Sequence, residues 1–435
     1  MNSQLIIDFI RSLYPNRDII PLHEPYFGGN EKKYVLDCID STYVSSVGKY
    51  VDKFEEMICE YTGAKFAVAT VNGTAALHIA LLLVGVKRGD LVITQPLTFI
   101  ATCNAISYCG ADSVFIDIDK KTLGLSADTL EEWLFENCVV ENCLELHSLE
   151  DLELRSFYGL DSQQRSAQLS QQRNSQPRST QLSQPTQPEF TCLHKQTKRR
   201  VSACVPMHTF GHPCEIDKIV EVCNKFHIPV VEDAAESIGS QYKNQHTGTF
   251  GKFGVLSFNG NKTITTGGGG MILTNDEELA KLAKHITTTA KKPHPWKFKH
   301  DMVGYNYRLP NINAALGCAQ VELLPEILKN KRETANKYQT FFDQQADIEY
   351  VSESENSFSN YWLNVILLKD QDARDDFLKH TNENKVMTRP AWILMNKLSM
   401  FEKSICGNLS ISEEIESCLV NIPSSFRLGA SSKET

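Results

Sequence analysis

The 435-residue chain has no apolar run long enough to span a bilayer. Its longest, "AALHIALLLVGV" (75–86), falls well short of the roughly twenty residues a membrane helix needs, and His78 interrupts it. Nor is there an excess of basic charge. The net charge of −9 gives no field to hold a phosphate backbone, so no nucleic-acid partner is expected. No closely spaced CxxC pair occurs either. Thirteen scattered cysteines, an odd number, predict free thiols of a reducing compartment rather than a disulfide framework or a zinc site, and no metal is expected. The opening "MNSQLIIDFIRSLYP" carries Asp8 and Arg11 where a secretory signal requires an uninterrupted apolar stretch. These absences predict a cytoplasmic protein with no membrane partner. What remains is ordinary for a globular enzyme: 41% hydrophobic and 22% charged residues, over a length that suits two or three domains.

Short apolar, β-branched runs alternate with helix-length segments: "FAVAT" (66–70), "LVIT" (91–94), "SVFIDI" (113–118), "VSACV" (201–205), "PVVED" (229–233), "GVLSF" (254–258) and "GMILT" (270–274). Amphipathic stretches such as 74–86 and 215–227 lie between several of them. Strands that are apolar throughout and separated by helices predict an α/β fold, with a mostly parallel sheet covered by helices on both faces. From residue 311 a long helical stretch, then "NYWLNVILL" (360–368) and "DARDDFLKHTNEN" (372–384), predict a smaller C-terminal α+β domain. We therefore expect a large domain over 1–325 and a small one over 326–435. Residues 162–188, "SQQRSAQLSQQRNSQPRSTQLSQPTQP", hold no acid and no aromatic and repeat "QLSQ". They predict an insertion at about 140–199, disordered in its Gln/Ser part.

"SFNGNKTITTGGGGMILTND" (257–276) places one lysine, Lys262, among asparagines and glycines. A buried amine of this kind commonly forms a Schiff base with a carbonyl, and pyridoxal phosphate is the obvious carbonyl. Three further features should then be present. A carboxylate must keep the pyridinium nitrogen protonated, and Asp233 ends a buried strand at the sheet edge where ligands bind; as a lone acid it would equally cap the next helix. Glu232 beside it should point to the opposite face. A phosphate needs a cradle, and "TVNGTAAL" (70–77) starts a helix whose Thr74 and Ala75 amides suit an anion, with the Ser257 hydroxyl as a second donor. The ring needs an aromatic to stack on, and Phe99 follows another strand; it would serve equally as core. The glycines 267–270 give the backbone room for a cofactor, or are simply a strand entry. A Walker loop is excluded, because the lysine precedes the glycines.

The order of these features, together with "GTAALHIAL", "TFIAT", "VVEDAAESIGS", "GTFGKFGVLSFNGNKTITTGGGG" and "GYNYRLPNINAALGCAQ", resembles the fold-type I, pyridoxal-phosphate-dependent sugar aminotransferases of the DegT/DnrJ type. The resemblance covers nearly the whole chain except about 140–199. It implies that Lys262 carries the cofactor, that Asp233 pairs with the ring nitrogen and that Glu236 lies near the phenolic oxygen. It also implies that Thr74, Ala75, Phe99, Ser257 and Asn259 contact the cofactor, and that Asn306 of "GYNYR" reaches the phosphate of a neighbouring subunit in a homodimer. Similar sugar dehydratases replace the lysine by histidine, so Lys262 implies transamination. The motifs "VPMHTFGHPCEIDKIVEVC" and "VMTRPAW" resemble the branch that acts on nucleotide-linked 4-keto-6-deoxy-N-acetylhexosamines with glutamate as donor. The basic loop "AKKPHPWKFKH" (290–300) is then the expected pyrophosphate contact, or a solvated loop. A non-catalytic relative kept as a binding module is the reading from another class, and the joint presence of Lys262 and Asp233 argues against it.

Overall fold

A computed structural model describes residues 2–142 and 190–428. Seven strands build its central sheet: β1 (Phe66–Thr70), β2 (Leu91–Thr94), β3 (Asp112–Phe115), β4 (Val201–Val205), β5 (Val231–Asp233), β6 (Phe253–Ser257) and β7 (Gly270–Thr274). β3, β2 and β4 pair in parallel, as do β5 and β6. Parallel bridges Cys204–Val230 and Met207–Asp233 join the two halves. β7 lies antiparallel between β6 and β1, so the order is β3-β2-β4-β5-β6-β7-β1 with β7 alone reversed.

Successive side chains on each strand enter different cores. Val92, Val205, Val255 and Ile272 pack under the helices Gly73–Leu83, Ile100–Tyr108 and Glu277–Thr287 on one face. Leu91, Ile93 and Cys204 meet Leu130, Trp133 and Ile219 on the other. Leu256, Met271 and Leu273 meet Phe54, Ala315 and Cys318 there as well. Each such Val, Leu or Ile contributes about 1.5–3 kcal/mol on burial, and coverage on both sides is why the strands read as continuous apolar runs.

The second sheet is antiparallel, in the order Glu349–Tyr350, Asn364–Leu367, Leu419–Ile422, Arg389–Pro390. The helix Asn311–Phe342 runs from the large sheet to this one, and the boundary expected at 325 falls at Pro325 inside it. Two segments cross that boundary. Ile6, Ile7 and Ile10 of the helix Ser3–Leu13 pack with Tyr338, Ile366, Phe377 and Val420 of the small sheet's core. Ile405–Cys406 returns to pair in parallel with β3.

The flanks of the expected insertion at 140–199 are built structure. Residues Cys138–Asn142 and Phe190–His194 pair as an antiparallel ribbon with Cys138 and Cys192 buried. The Gln/Ser-rich residues 162–188 lie outside the described residues. Among the described residues no helix is long and apolar enough to cross a membrane, and no cluster of His, Cys, Asp and Glu could hold a metal.

Candidate active site

β1, β2, β4, β5 and β6 run in one direction, and the segments leaving their C-terminal ends meet in one crevice, where ligands of open α/β sheets bind. Lys262 follows β6. Its main-chain N–H donates to the Asn259 carbonyl at 3.0 Å, and this turn folds the side chain back beneath the sheet edge. The amine is nearly buried. Nζ donates to Glu236 Oε1 at 3.1 Å and stands 4.1 Å above the ring of Trp362.

Glu236 is buried and accepts the Phe210 N–H on its other oxygen at 2.9 Å. Burial pushes its carboxyl up to about 7, against the opposing pull of the Lys262 ammonium and the Phe210 N–H.

Asp233 closes β5 and is 2% exposed. Burial raises its carboxyl as well, opposed by a hydrogen bond from Thr102 Oγ1 to Oδ2 at 2.7 Å and one from the Ala235 N–H to Oδ1 at 3.2 Å. Glu232, one residue earlier, faces away as the strand period requires. It accepts the N–H groups of Gly248, Phe250 and Gly251 at 2.7 Å each and meets His208 at 3.1 Å. It ties down the "GTFGKFG" loop.

The helix Gly73–Leu83 begins at the same edge. Asn72 is extended and accepts the Ala75 N–H on its side chain at 2.8 Å. In this arrangement the Ala75 amide is taken by Asn72, whereas the sequence leads us to expect it to face a phosphate. The first-turn amides of Gly73 and Thr74 have no partner within the helix. Ser257 faces this turn: a Cβ on Gly73 would lie 3.0 Å from Ser257 Cβ and 3.3 Å from its hydroxyl. Gly270 has a steric reason to be glycine. A Cβ there would meet the Asn72 carbonyl carbon and oxygen at 2.5 Å and the Gly73 nitrogen at 2.7 Å.

Phe99, next to the helix Ile100–Tyr108, is 47% exposed at the crevice. Asn259 is exposed, with its amide 3.4 Å from Asn261 Oδ1. Asn306 is exposed too, in an antiparallel bridge with Thr288, on a segment whose Arg308 bridges Thr70 at the end of β1. Sequence reasoning missed Thr102, Phe210, Asn360, Trp362 and Trp392. Asn360 donates to the carbonyls of Glu236 and Ile238 at 2.9 Å and accepts the Trp362 N–H at 2.7 Å, while Trp362 Nε1 donates to the Asn261 carbonyl at 2.7 Å. "NYW" (360–362) was legible only as a strand start, and no local pattern ties it to Lys262.

A model of the DegT/DnrJ/EryC1/StrS aminotransferase family matches residues 25–138 and 186–434. The chain belongs to that family. It is 33% identical over 405 residues to a GDP-perosamine synthase of Escherichia coli O157:H7, covering 93% of each chain. The aminotransferase TlmJ of Streptoalloteichus hindustanus shares its fold, with a TM-score of 0.74 at 23% identity over 93% of each chain. So does Spr1654 of Streptococcus pneumoniae in its PLP-form, with a TM-score of 0.74 at 19% identity over 95% of each chain. The fold is thus that of the fold-type I aminotransferases, and pyridoxal phosphate is the cofactor of this aminotransferase.

The residues present fit that group. A nearly buried primary amine stands beside a buried carboxyl, a second buried carboxyl ends the neighbouring strand, and a helix N-terminus is held open to an anion by a glycine that tolerates no Cβ.

Proposed function

We propose that this protein transfers the amino group of glutamate to C4 of a nucleotide-linked 4-keto-6-deoxy-N-acetylhexosamine, with pyridoxal phosphate bound through Lys262. The observation that carries the reading is the amine of Lys262, 3.1 Å from a buried carboxyl at the end of the parallel strands. When bound, the cofactor supplies an electron sink for exchange at carbon–nitrogen bonds. Asp233 would hold a proton at the ring nitrogen, as a buried carboxylate can. The Gly73 and Thr74 amides and the Ser257 hydroxyl hold the phosphate, Phe99 covers the ring face, and Asn259 borders it. Glu236 faces the phenolic oxygen and keeps a proton available to Lys262. With the cofactor bound, the Lys262 amine would serve as the general base and acid of the transfer.

Lysines 291, 292, 297 and 299 of the loop 290–300 reach the pyrophosphate of the sugar nucleotide. The likeness to GDP-perosamine synthase supports a nucleotide-linked sugar and favours, as a second reading, a GDP-linked sugar. The large and small sheets form the two domains, divided within the helix Asn311–Phe342. Two chains make a symmetric dimer in which Asn306 serves the neighbouring phosphate.

The test is incubation with pyridoxal phosphate, glutamate and a panel of UDP- and GDP-linked 4-keto sugars, with products followed by mass. Conversion of a keto sugar to its amino sugar is expected, falling by several orders of magnitude in Lys262→Ala. Borohydride treatment of the loaded protein should fix the cofactor on the peptide containing Lys262. A label on another lysine would overturn the assignment.

A further inference from the structure

An arc of aromatic rings lines the crevice, and the residues assigned above leave most of it unused. The Phe99 ring centre lies 6.1 Å from that of Trp392, Trp392 lies 4.8 Å from Phe210, and Phe210 lies 6.4 Å from Trp362, which stands under Lys262 Nζ. The arc is held deliberately. Phe210 adopts φ 56° and ψ 14°, a left-handed conformation that a bulky residue reaches only at a cost, and the same peptide donates its N–H to Glu236. Phe210 and Trp362 are buried and form the back of the wall. The surface that a ligand meets is Phe99, half-buried Trp392 and Ile393, the last 60% exposed.

These accessible side chains come from two parts of the fold. Phe99 leaves β2, whereas Trp392 and Ile393 follow the small-sheet strand Arg389–Pro390. The Met395 N–H, bonded to the Pro96 carbonyl at 3.1 Å, clasps the two segments together. An exposed apolar wall continuous with a charged catalytic centre has the composition of a small-molecule site. Aromatic faces offer a sugar hydroxyl no hydrogen-bond partner, so the wall suits the C–H face and the methyl-bearing edge of a deoxyhexose.

We infer that Trp392 is a specificity-determining residue that packs its indole face against the hexose ring of the amino acceptor. This inference rests on the sugar-aminotransferase reading above. Equilibrium dialysis of the cofactor-loaded protein, without amino donor so that no transfer occurs, measures binding of two ligands: the 4-keto sugar nucleotide and its free nucleoside diphosphate. Trp392→Ala should weaken binding of the sugar nucleotide at least about tenfold while leaving the nucleoside diphosphate within about twofold. Trp392→Phe, which keeps a ring, should recover most of the loss. Uptake of pyridoxal phosphate, read from its visible absorption, should match wild type in both variants. Unchanged sugar-nucleotide binding in Trp392→Ala, or equal loss of both ligands, would overturn the inference and leave the function standing. A wild-type protein that binds no member of the panel would overturn the function, and this inference with it.

Discussion

Glu236 has two polar partners, and neither offsets the loss of water around it. Burial holds its carboxyl at about 7, against 4.5 for the unburied group, while Lys262 and the Phe210 N–H pull the other way. A carboxyl raised toward neutrality thus stands 3.1 Å from the amine to which the proposed reaction assigns the proton transfers. The same shift acts on stability. Between pH 4.5 and about 7 the folded protein binds more protons at this site than the unfolded chain does. The contribution is therefore complete below pH 4.5 and is lost as pH rises through about 7. Asp233, also raised by burial, acts with the same sign. Glu236→Gln removes one of the two titrations. In cofactor-free protein, urea unfolding should show wild type losing more stability than the variant between pH 5 and pH 8, by on the order of 2 kcal/mol. Parallel pH profiles would mean that the carboxyl is not raised in this way.

At the scale of elements, the glycine run after Lys262 divides by mechanism. Gly270 opposes Thr70 on β1 and Ser257 on β6, and a Cβ there would drive into the backbone of Asn72 and Gly73. Gly270→Ala should cost about 1–3 kcal/mol and weaken cofactor uptake, because it displaces the helix start proposed to hold the phosphate. Gly267, with φ 79°, has open space around it, the nearest atom being Asn313 Nδ2 at 3.8 Å. Gly267→Ala should cost about 1 kcal/mol through backbone strain and leave uptake intact. Thermal unfolding and absorbance titration of the pair separate the two effects; equal uptake in both variants would detach Gly270 from the phosphate site. The strands β1, β2, β4 and β7 coincide with the apolar runs read from the sequence, because burial on both faces leaves no polar position to blur their ends. The long helix coincides too. That the Ala75 amide, expected to face a phosphate, is bonded to Asn72 was not legible, because composition does not show whether an N-cap side chain turns inward. Phe210, Trp362 and Trp392 stayed hidden for another reason: Trp362 meets Lys262, Trp392 meets Phe99 and Phe210 meets both tryptophans only across long sequence separations, which no local period encodes. The N-terminal helix likewise shows an apolar face but not which sheet will cover it.

For the whole molecule, the proposed dimer bears on the surface around Asn306. Trp296, Phe298 and Val303 are 76%, 81% and 83% exposed, close in sequence to Asn306. Exposed large apolar side chains of this kind are what the proposed dimer would cover. Within its own chain Asn306 could have capped the helix that follows, but that helix starts at Asn311 behind Pro310 with no side-chain cap. Instead Asn306 lies exposed on an extended segment whose neighbours Tyr307 and Arg308 pair with the end of β1, the Val71 N–H donating to the Tyr307 carbonyl at 2.8 Å. An isologous dimer would use that segment twice, each copy completing the other's phosphate site. Subunit mixing tests this directly. Lys262→Ala and Asn306→Ala should each be inactive or nearly so alone. If Asn306 acts across the interface, a mixed dimer gathers both defects in one site and leaves the other with a native lysine and a native asparagine. Activity should then return after exchange, to about half that of wild type per mixed dimer. If Asn306 acts within its own chain, every site of the mixed dimer keeps one defect. Absence of recovery after exchange verified by native mass spectrometry would therefore place the asparagine in its own subunit's site.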